Sequence, residues 1–505
     1  MTRMVFGPWD FVIMTLTMIT SIGIGIYFRF SGGKQKTNEE YLMANRNMSI
    51  FPVAVSLMAS FVSAITILGI SSENYYNGMQ FVVINISYFL ATPIASRYYL
   101  PVFFGLQKTS TYEYLELRFG PRIRTLASLT YTLQMILYNG IVLYAPAIVL
   151  ESVTGLNRVI SILVVGLVCT FYSTIGGMKA VLFTDLLQSF LMFASVVSVL
   201  IFASIQVGGL GNIFAVAKEG GRLDFSHLDP TERHTWWSLI IGGFIMYLSL
   251  YAVNHTQVQR LLTVSTLARS QQCMWLSLPV LSILSIVTCM SGIAIYAVYK
   301  DCDPYAAGYI AAIDQLMPYY VVDAMRLVPG LAGLFVAGIF SASLSTISAS
   351  CNALAAVTLT DYVSRQLCIM AFLAEYLGGV LQAALTIFSA VGGPLFGVFT
   401  LGMFTTYATE MGVSLSLLSG MSLTLLMNFG GPRPPLVKLP LSVGNCSGNV
   451  TLTPTPIVDP SEYFYLYRIS YMWSSPVSFF KYKKKSSAKL VAESFLPVLL
   501  TRSTP

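Results

Sequence analysis

The sequence predicts an all-α, polytopic membrane protein, and three observations carry that expectation. Of 505 residues, 55 % are apolar and only 10 % are charged, with a mean hydropathy of +0.69; a soluble chain of this length needs far more charge to cover its surface. The apolar runs are long and uninterrupted, as membrane helices of about twenty residues require, whereas a membrane β-barrel shows short alternating segments. The basic residues fall mainly between those runs and in the tail "KYKKK". A formal charge of +7 therefore reads as topology-setting loops and not as a nucleic-acid surface.

In chain order the expected spans are 9–30, 48–70, 79–104, 125–150, 159–176, 180–204, 236–258, 273–299, 327–360, 381–404 and 410–428. The first has no small-residue cleavage site and reads as a retained span. A remnant, "CIMAFLAEYLGG" at 368–379, is too short to cross a bilayer core alone. The loop 31–47 holds Lys34, Lys36 and Arg46, and 105–124 holds Lys108, Arg118, Arg122 and Arg124. The alternate loops 71–78 and 151–158 hold only Arg158. Positive-inside logic puts the N-terminus outside and the two basic loops in the cytosol. Loops 205–235 and 299–326 then lie outside. Cys302 and Cys446 sit in polar loops and could pair there, while Cys169, Cys273, Cys289, Cys351 and Cys368 fall in apolar runs.

Two apolar runs carry many oxygens. "GIFSASLSTISASCN" (338–352) has six hydroxyls and an asparagine, and "VSLMASFVSAITILG" (55–69) is similar. One reading is packing: small residues let helices approach, and a Ser or Thr hydroxyl returns to the carbonyl one turn back. The other is an ion site. Hard alkali cations take oxygen ligands, and in a membrane these are hydroxyls plus carbonyls freed where a helix unwinds. On that reading both stretches are candidates for unwound backbone, which survives at such depth only beside a cavity.

Several motifs together resemble the sodium/solute symporter family. "FYSTIGGMKAVLFTDLLQ" (171–188) matches its signature, with Gly176, Gly177 and Lys179 in place. "STYEYLELRFG", "LYNGIVLYAP", "VNHTQVQR", "DCDP", "LSTISASCNALAAVTLTD" and "GGPLFGVFTLGMF" follow the family's order. The branch is similar to the sodium-dependent multivitamin, sodium-coupled monocarboxylate and sodium/iodide transporters. The resemblance implies the inverted five-plus-five helix repeat (LeuT-like) over residues 1–473, with 474–505 an atypical basic tail. It also implies a Na+ site made by the Ala59, Val62 and Ala342 carbonyls with the Ser345 and Thr346 hydroxyls. By the same resemblance Phe61, Thr66, Tyr138, Met246, Tyr247, Ala384 and Leu385 line the substrate cavity, although Tyr138 and Tyr247 also suit plain helix packing. Thr66 stands where the iodide transporter has a glutamine, and Ala384 and Leu385 replace a serine and a phenylalanine, which favours a small organic anion over iodide.

Asp185 lies just after the "GGMK" motif. It reads either as a residue on the sodium exit route or as a membrane-edge ion pair with Lys179 or a loop arginine. His227, His234 and His255 show no ligand spacing, and no hydrolase, kinase or metal-enzyme motif is present. The expectation is a multi-pass plasma-membrane transporter, not an enzyme, with Na+ as coupling ion and no other cofactor. Its partners are then Na+, a small organic anion and the lipid bilayer. Two departures matter. "DYVSRQL" runs straight into "CIMAFLAEYLGGVLQ", leaving most of the ninth core helix missing, and the segment after "YRISYMWSSPVS" lacks the family's further span. They open an alternative, a transport-inactive isoform that assembles with an intact relative. "NCS" at Asn445 and "NVT" at Asn449 are glycosylation sequons expected to face outside.

Overall fold

Helices of bilayer length make up most of the described chain. The computed structural model describes residues 6–480 apart from 32–34, 156, 227–228, 230–231, 326–327, 362–379, 432–438, 445 and 447–462. Among the described residues there is no strand. Eight helices are long and apolar enough to span a membrane, and two further helix pairs pass together across a sharp bend.

The Pro8–Phe30 helix shows how such elements form. Pro8 sits in the first turn, where its missing N–H costs nothing, and Asp10 accepts the Gly7 N–H at 2.9 Å. One side, with Trp9, Leu16, Ile19 and Phe30, is exposed, as a lipid-facing surface must be. The opposite side is small, with Thr17, Ser21 and Gly25 buried. A Cβ on Gly25 would lie 2.9 Å from the Tyr172 Cβ, so only glycine allows that crossing.

Spans 159–176 and 180–204 of the sequence reading are the two arms of the Arg158–Val207 helix. Gly177 breaks it with φ 59° and ψ −162°, a conformation outside the helix. Unbroken, fifty residues would extend about 75 Å, over twice a bilayer core. Tyr41 seals this corner, its hydroxyl donating to the Thr174 carbonyl at 3.1 Å.

The two bends have clear local causes. Ile50–Phe61 and Ala64–Asn77 meet at 59°, and Ser238–Tyr251 and His255–Leu261 meet at 60°. Val62 and Ser63 are extended between the first pair. Ser63 restarts the helix: its N–H donates to Thr66 Oγ1 (3.3 Å), while its carbonyl accepts from Thr66 N–H. Asn254 restarts the second, its side chain accepting from Thr256 N–H at 2.9 Å. Both are N-cap residue types. The stretch 338–352 corrects the expectation of a second unwound segment there. Leu331–Asp361 is one continuous helix, and its hydroxyls largely return to their own backbone. Thr346 donates to the Ala342 carbonyl, Ser348 to Ser345 and Ser350 to Ile347.

That helix is the centre of the molecule. It packs against the Arg158–Val207 arms, Pro121–Thr154, Pro8–Phe30 and both halves of the first broken pair. The Ser474–Phe480 helix packs on Val380–Phe404 and Glu410–Phe429, so ordered structure continues past residue 473. On one face Cys302 and Cys446 form a disulfide. On the same face Arg222 stacks on Tyr296 and donates to the Pro440 carbonyl. The remnant 368–379, and with it the missing ninth helix, lies outside the described residues, as do Asn445 and Asn449.

Candidate substrate cavity and ion site

A cavity lies between the two breaks. From the first come Ser60, Phe61, Ser63 and Thr66; from the second, Met246, Leu250, Asn254, Thr256 and Gln257. Tyr138 faces them from Pro121–Thr154, and Thr346 from the central helix. Leu381, Ala384, Leu385 and Phe388 close the wall from Val380–Phe404. Among the described residues, no lysine, arginine, histidine or carboxylate lines it. Most of the wall is hydrocarbon, and its polar groups are neutral hydroxyls and amides.

Six of the seven residues expected at the substrate cavity meet there: Phe61, Thr66, Tyr138, Met246, Ala384 and Leu385. Tyr247 does not. It is fully buried, stacks on Tyr251 with centroids 4.3 Å apart, and shares a hydrogen bond with Thr92 at 3.0 Å. One helix position from Met246 is about 100° of rotation, so a residue beside a wall residue packs elsewhere. The sequence reading missed Phe388, one turn beyond Ala384 and Leu385, and the polar set Asn254, Thr256 and Gln257. The spacing i, i+4 was the available signal for the first. The motif "VNHTQVQR" held the second.

At the first break Ala59 and Val62 are buried. The last carbonyls of a half-helix have no partner further along the chain, and here the Ser63 N–H has turned away to Thr66. The central helix packs against Ile50–Phe61 and presents Ser345 and Thr346. Thr346 faces the cavity. Ser345 points elsewhere, donating to Asp185 Oδ1 at 2.6 Å. The oxygens assembled, carbonyl and hydroxyl, are the hard neutral ligands that suit a monovalent cation.

Asp185 is not paired with Lys179 but with an arginine just past the expected 236–258 span, and deep in the protein, not at a membrane edge. Lys179 binds Glu40 at 3.1 Å, and the Asp185 partner is Arg260 at 3.4 Å, both side chains fully buried. The pair is knitted through Ser56, which donates to Asp185 Oδ2 (2.5 Å) and accepts from Arg260 Nε (2.9 Å). Arg260 also donates to the Thr256 carbonyl at 3.1 Å. A buried pair survives only when its remaining valences are met in this way. Arg260 belongs to the "VNHTQVQR" motif, so both broken pairs and the "GGMK" arm share one polar knot.

At the other end of the cavity Glu73 is 6 % exposed and takes a bidentate bond from Arg233, at 2.5 and 2.9 Å. His234 Nε2 lies 2.8 Å from the same carboxylate. Burial works against the Arg233 charge, but Glu73 outweighs it and holds the guanidinium above its ordinary pKa.

Long apolar helices, two of them broken around a shared cavity, with loose carbonyls and hydroxyls at one break, define a secondary transporter that couples an ion to a solute. The comparisons agree. Residues 41–367 match the family model described as sodium:solute symporter family, and the chain belongs to that family. A Drosophila melanogaster protein named "Putative sodium-dependent multivitamin transporter" is 51 % identical over 94 % of this chain and 84 % of its own. Sodium-coupled monocarboxylate transporter 1 of Xenopus laevis is 42 % identical over 88 % of this chain and 76 % of its own. A Na+-coupled sialic acid symporter, solved in a substrate-bound outward-open state, superposes with TM-score 0.76 at 22 % identity, covering 94 % of this chain and 96 % of that one. That likeness shows the fold, the inverted five-plus-five arrangement. The family and these relatives are transporters, not enzymes.

Proposed function

We propose that this symporter moves a small organic anion, a monocarboxylate or a carboxylate-bearing vitamin such as biotin or pantothenate, across the plasma membrane. The observation that carries the reading is a cavity with mostly hydrocarbon walls and, among the described residues, no cationic side chain. Its apolar part suits an organic body. The carboxylate is received by neutral donors at the start of Ala64–Asn77, where Ser63, Thr66 and the positive end of a half-helix converge. Relatives named for multivitamins and monocarboxylates support the same class.

Sodium binds at the first break, through the Ala59, Val62 and Ala342 carbonyls and the Ser345 and Thr346 hydroxyls. Ser345 gives its proton to Asp185, which leaves its oxygen lone pairs for the ion. Asp185 is thus a positioning residue for a ligand, and it stands on the exit side of the site. Each Na+ moved inward contributes about 2.3 kcal/mol per 100 mV. The symporter unit is residues 1–473 together with the Ser474–Phe480 helix that packs on it, and the basic tail follows. The orientation is N-terminus outside, which puts the Cys302–Cys446 bridge in the oxidising compartment such bonds require.

Uptake of labelled biotin, pantothenate, lactate, butyrate and iodide, with and without Na+, tests this reading. Sodium-dependent accumulation of a carboxylate supports it. Accumulation of iodide alone overturns the substrate class. No uptake of any of them by a chain that reaches the surface selects the transport-inactive isoform.

A further inference from the structure

From the geometry we infer that Glu73, Arg233, His234 and Gln382 form a dissociable outer gate over the cavity. The inference rests on that cavity being the transported solute's site. One residue of the cavity wall also touches this cluster: Phe81 meets the His234 ring at 5.3 Å. Gln382 accepts from Arg233 Nη1 at 3.2 Å. The members come from separate parts of the fold. Glu73 is on the second half of the first broken pair. Arg233 and His234 precede the second broken pair. Gln382 is on Val380–Phe404. Tyr471 adds a cation–π contact to Arg233 at 5.5 Å.

What marks the cluster as a gate is the kind of bond that holds it. Elsewhere on this face the loops are tied by a disulfide and by backbone groups: Cys302 to Cys446, Leu439 N–H to the Tyr76 carbonyl, Asp303 N–H to the Ser442 carbonyl. Over the cavity the segments meet through side chains, apart from the Ser470 hydroxyl on the Arg233 carbonyl. Arg233 keeps 17 % of its side chain exposed, so the pair is not sealed from the surface. Opening the gate to a solute on this face separates Glu73 from Arg233 and Gln382. Asn77, donating to Glu73 at 2.8 Å, stays with the carboxylate through such a motion because both ride one helix.

The test is external access to the cavity in the full chain on intact cells. Leu385→Cys supplies a thiol in the wall, and a membrane-impermeant methanethiosulfonate reagent reads its modification rate on surface protein, against the parent lacking that cysteine. Glu73→Gln and Arg233→Gln each raise the rate roughly tenfold, equivalent to about 1.4 kcal/mol of gate closure. The exchanged pair, Glu73→Arg with Arg233→Glu, returns it towards the parent. Rates unchanged in both single variants, with protein at the surface, overturn the gate. If neither single variant reaches the surface, Gln382→Ala decides, because it cuts one tie and leaves the ion pair. A faster rate supports the gate and an unchanged rate overturns it. The readout needs no transported substrate, so gated labelling without uptake would fault the function proposed above and not the gate.

Discussion

Ser345 and Thr346 are adjacent, yet their hydroxyls have opposite surroundings, and that difference makes them separable by mutation. Thr346 returns its proton to the Ala342 carbonyl and faces the cavity. Thr346→Ala removes one proposed Na+ ligand and little else, so on that proposal the sodium concentration for half-maximal uptake should rise while surface expression holds. Ser345→Ala also strips a donor from the buried Asp185, at a cost of about 1–3 kcal/mol. It should lower surface expression as well as sodium affinity. Unchanged sodium dependence in the double variant, at matched expression, removes both residues from the site. Residue types were the most legible layer of this sequence. The hydroxyl pair stood in a motif, and the six cavity residues came from the family resemblance. Tyr247, from the same resemblance, packs elsewhere because a matched position does not fix a direction, and neighbouring positions on a helix face different ways. The Arg260 partner of Asp185 was illegible for another reason: the two are 75 residues apart, and only the folded crossing brings them together.

The breaks are the elements on which transport turns, and the two were unequally legible. At 62–63 the small and hydroxylated surroundings pointed to unwinding, and the helix does unwind. At 338–352 the same composition produced an unbroken helix: Thr346, Ser348 and Ser350 spend their protons on carbonyls of the preceding turn, and Ser343 and Ser345 on neighbouring helices, so none needs free backbone of its own helix. The second break was marked by one residue, Asn254, whose capping side chain starts a new helix. Gly177 is the other element-level device. Its φ and ψ fall where side chains are not tolerated, and a Cβ there would lie 2.9 Å from both Gln35 Oε1 and Tyr41 Cδ2. Gly177→Ala should cost about 1–3 kcal/mol. The expected outcome is a lower melting temperature for the purified protein in detergent and less of it at the surface. A melting temperature equal to the parent's would mean the corner relaxes around the methyl group.

At the scale of the whole molecule the open question is which way each face points. Loop charge puts the Glu73 end of the fold outside, and the Cys302–Cys446 bridge belongs to the same face. Asn445 and Asn449 flank Cys446 in sequence, so they should carry glycans. Digestion with a glycan-removing amidase should increase mobility, and the shift should vanish with Asn445 and Asn449 both changed to Gln. No shift in the parent chain would place that loop in the cytosol and invert the last two helices. The class of fold was readable from hydropathy alone, since length and apolarity decide what a bilayer accepts. Its closure was not, since long-range ties leave no local pattern.

The bridge also sets a schedule. Its two cysteines are 144 residues apart, and at 5–20 residues per second a ribosome needs about 7–30 s to make the stretch between them. On the proposed orientation Cys302 waits in the lumen as a lone thiol throughout that interval, while the chain up to Cys446 is still being threaded. Its correct mate is among the last parts of the ordered chain to be born. Quality control during biogenesis therefore has a natural checkpoint here: a nascent chain that captures another thiol in the meantime is locked open on the very face where the substrate enters.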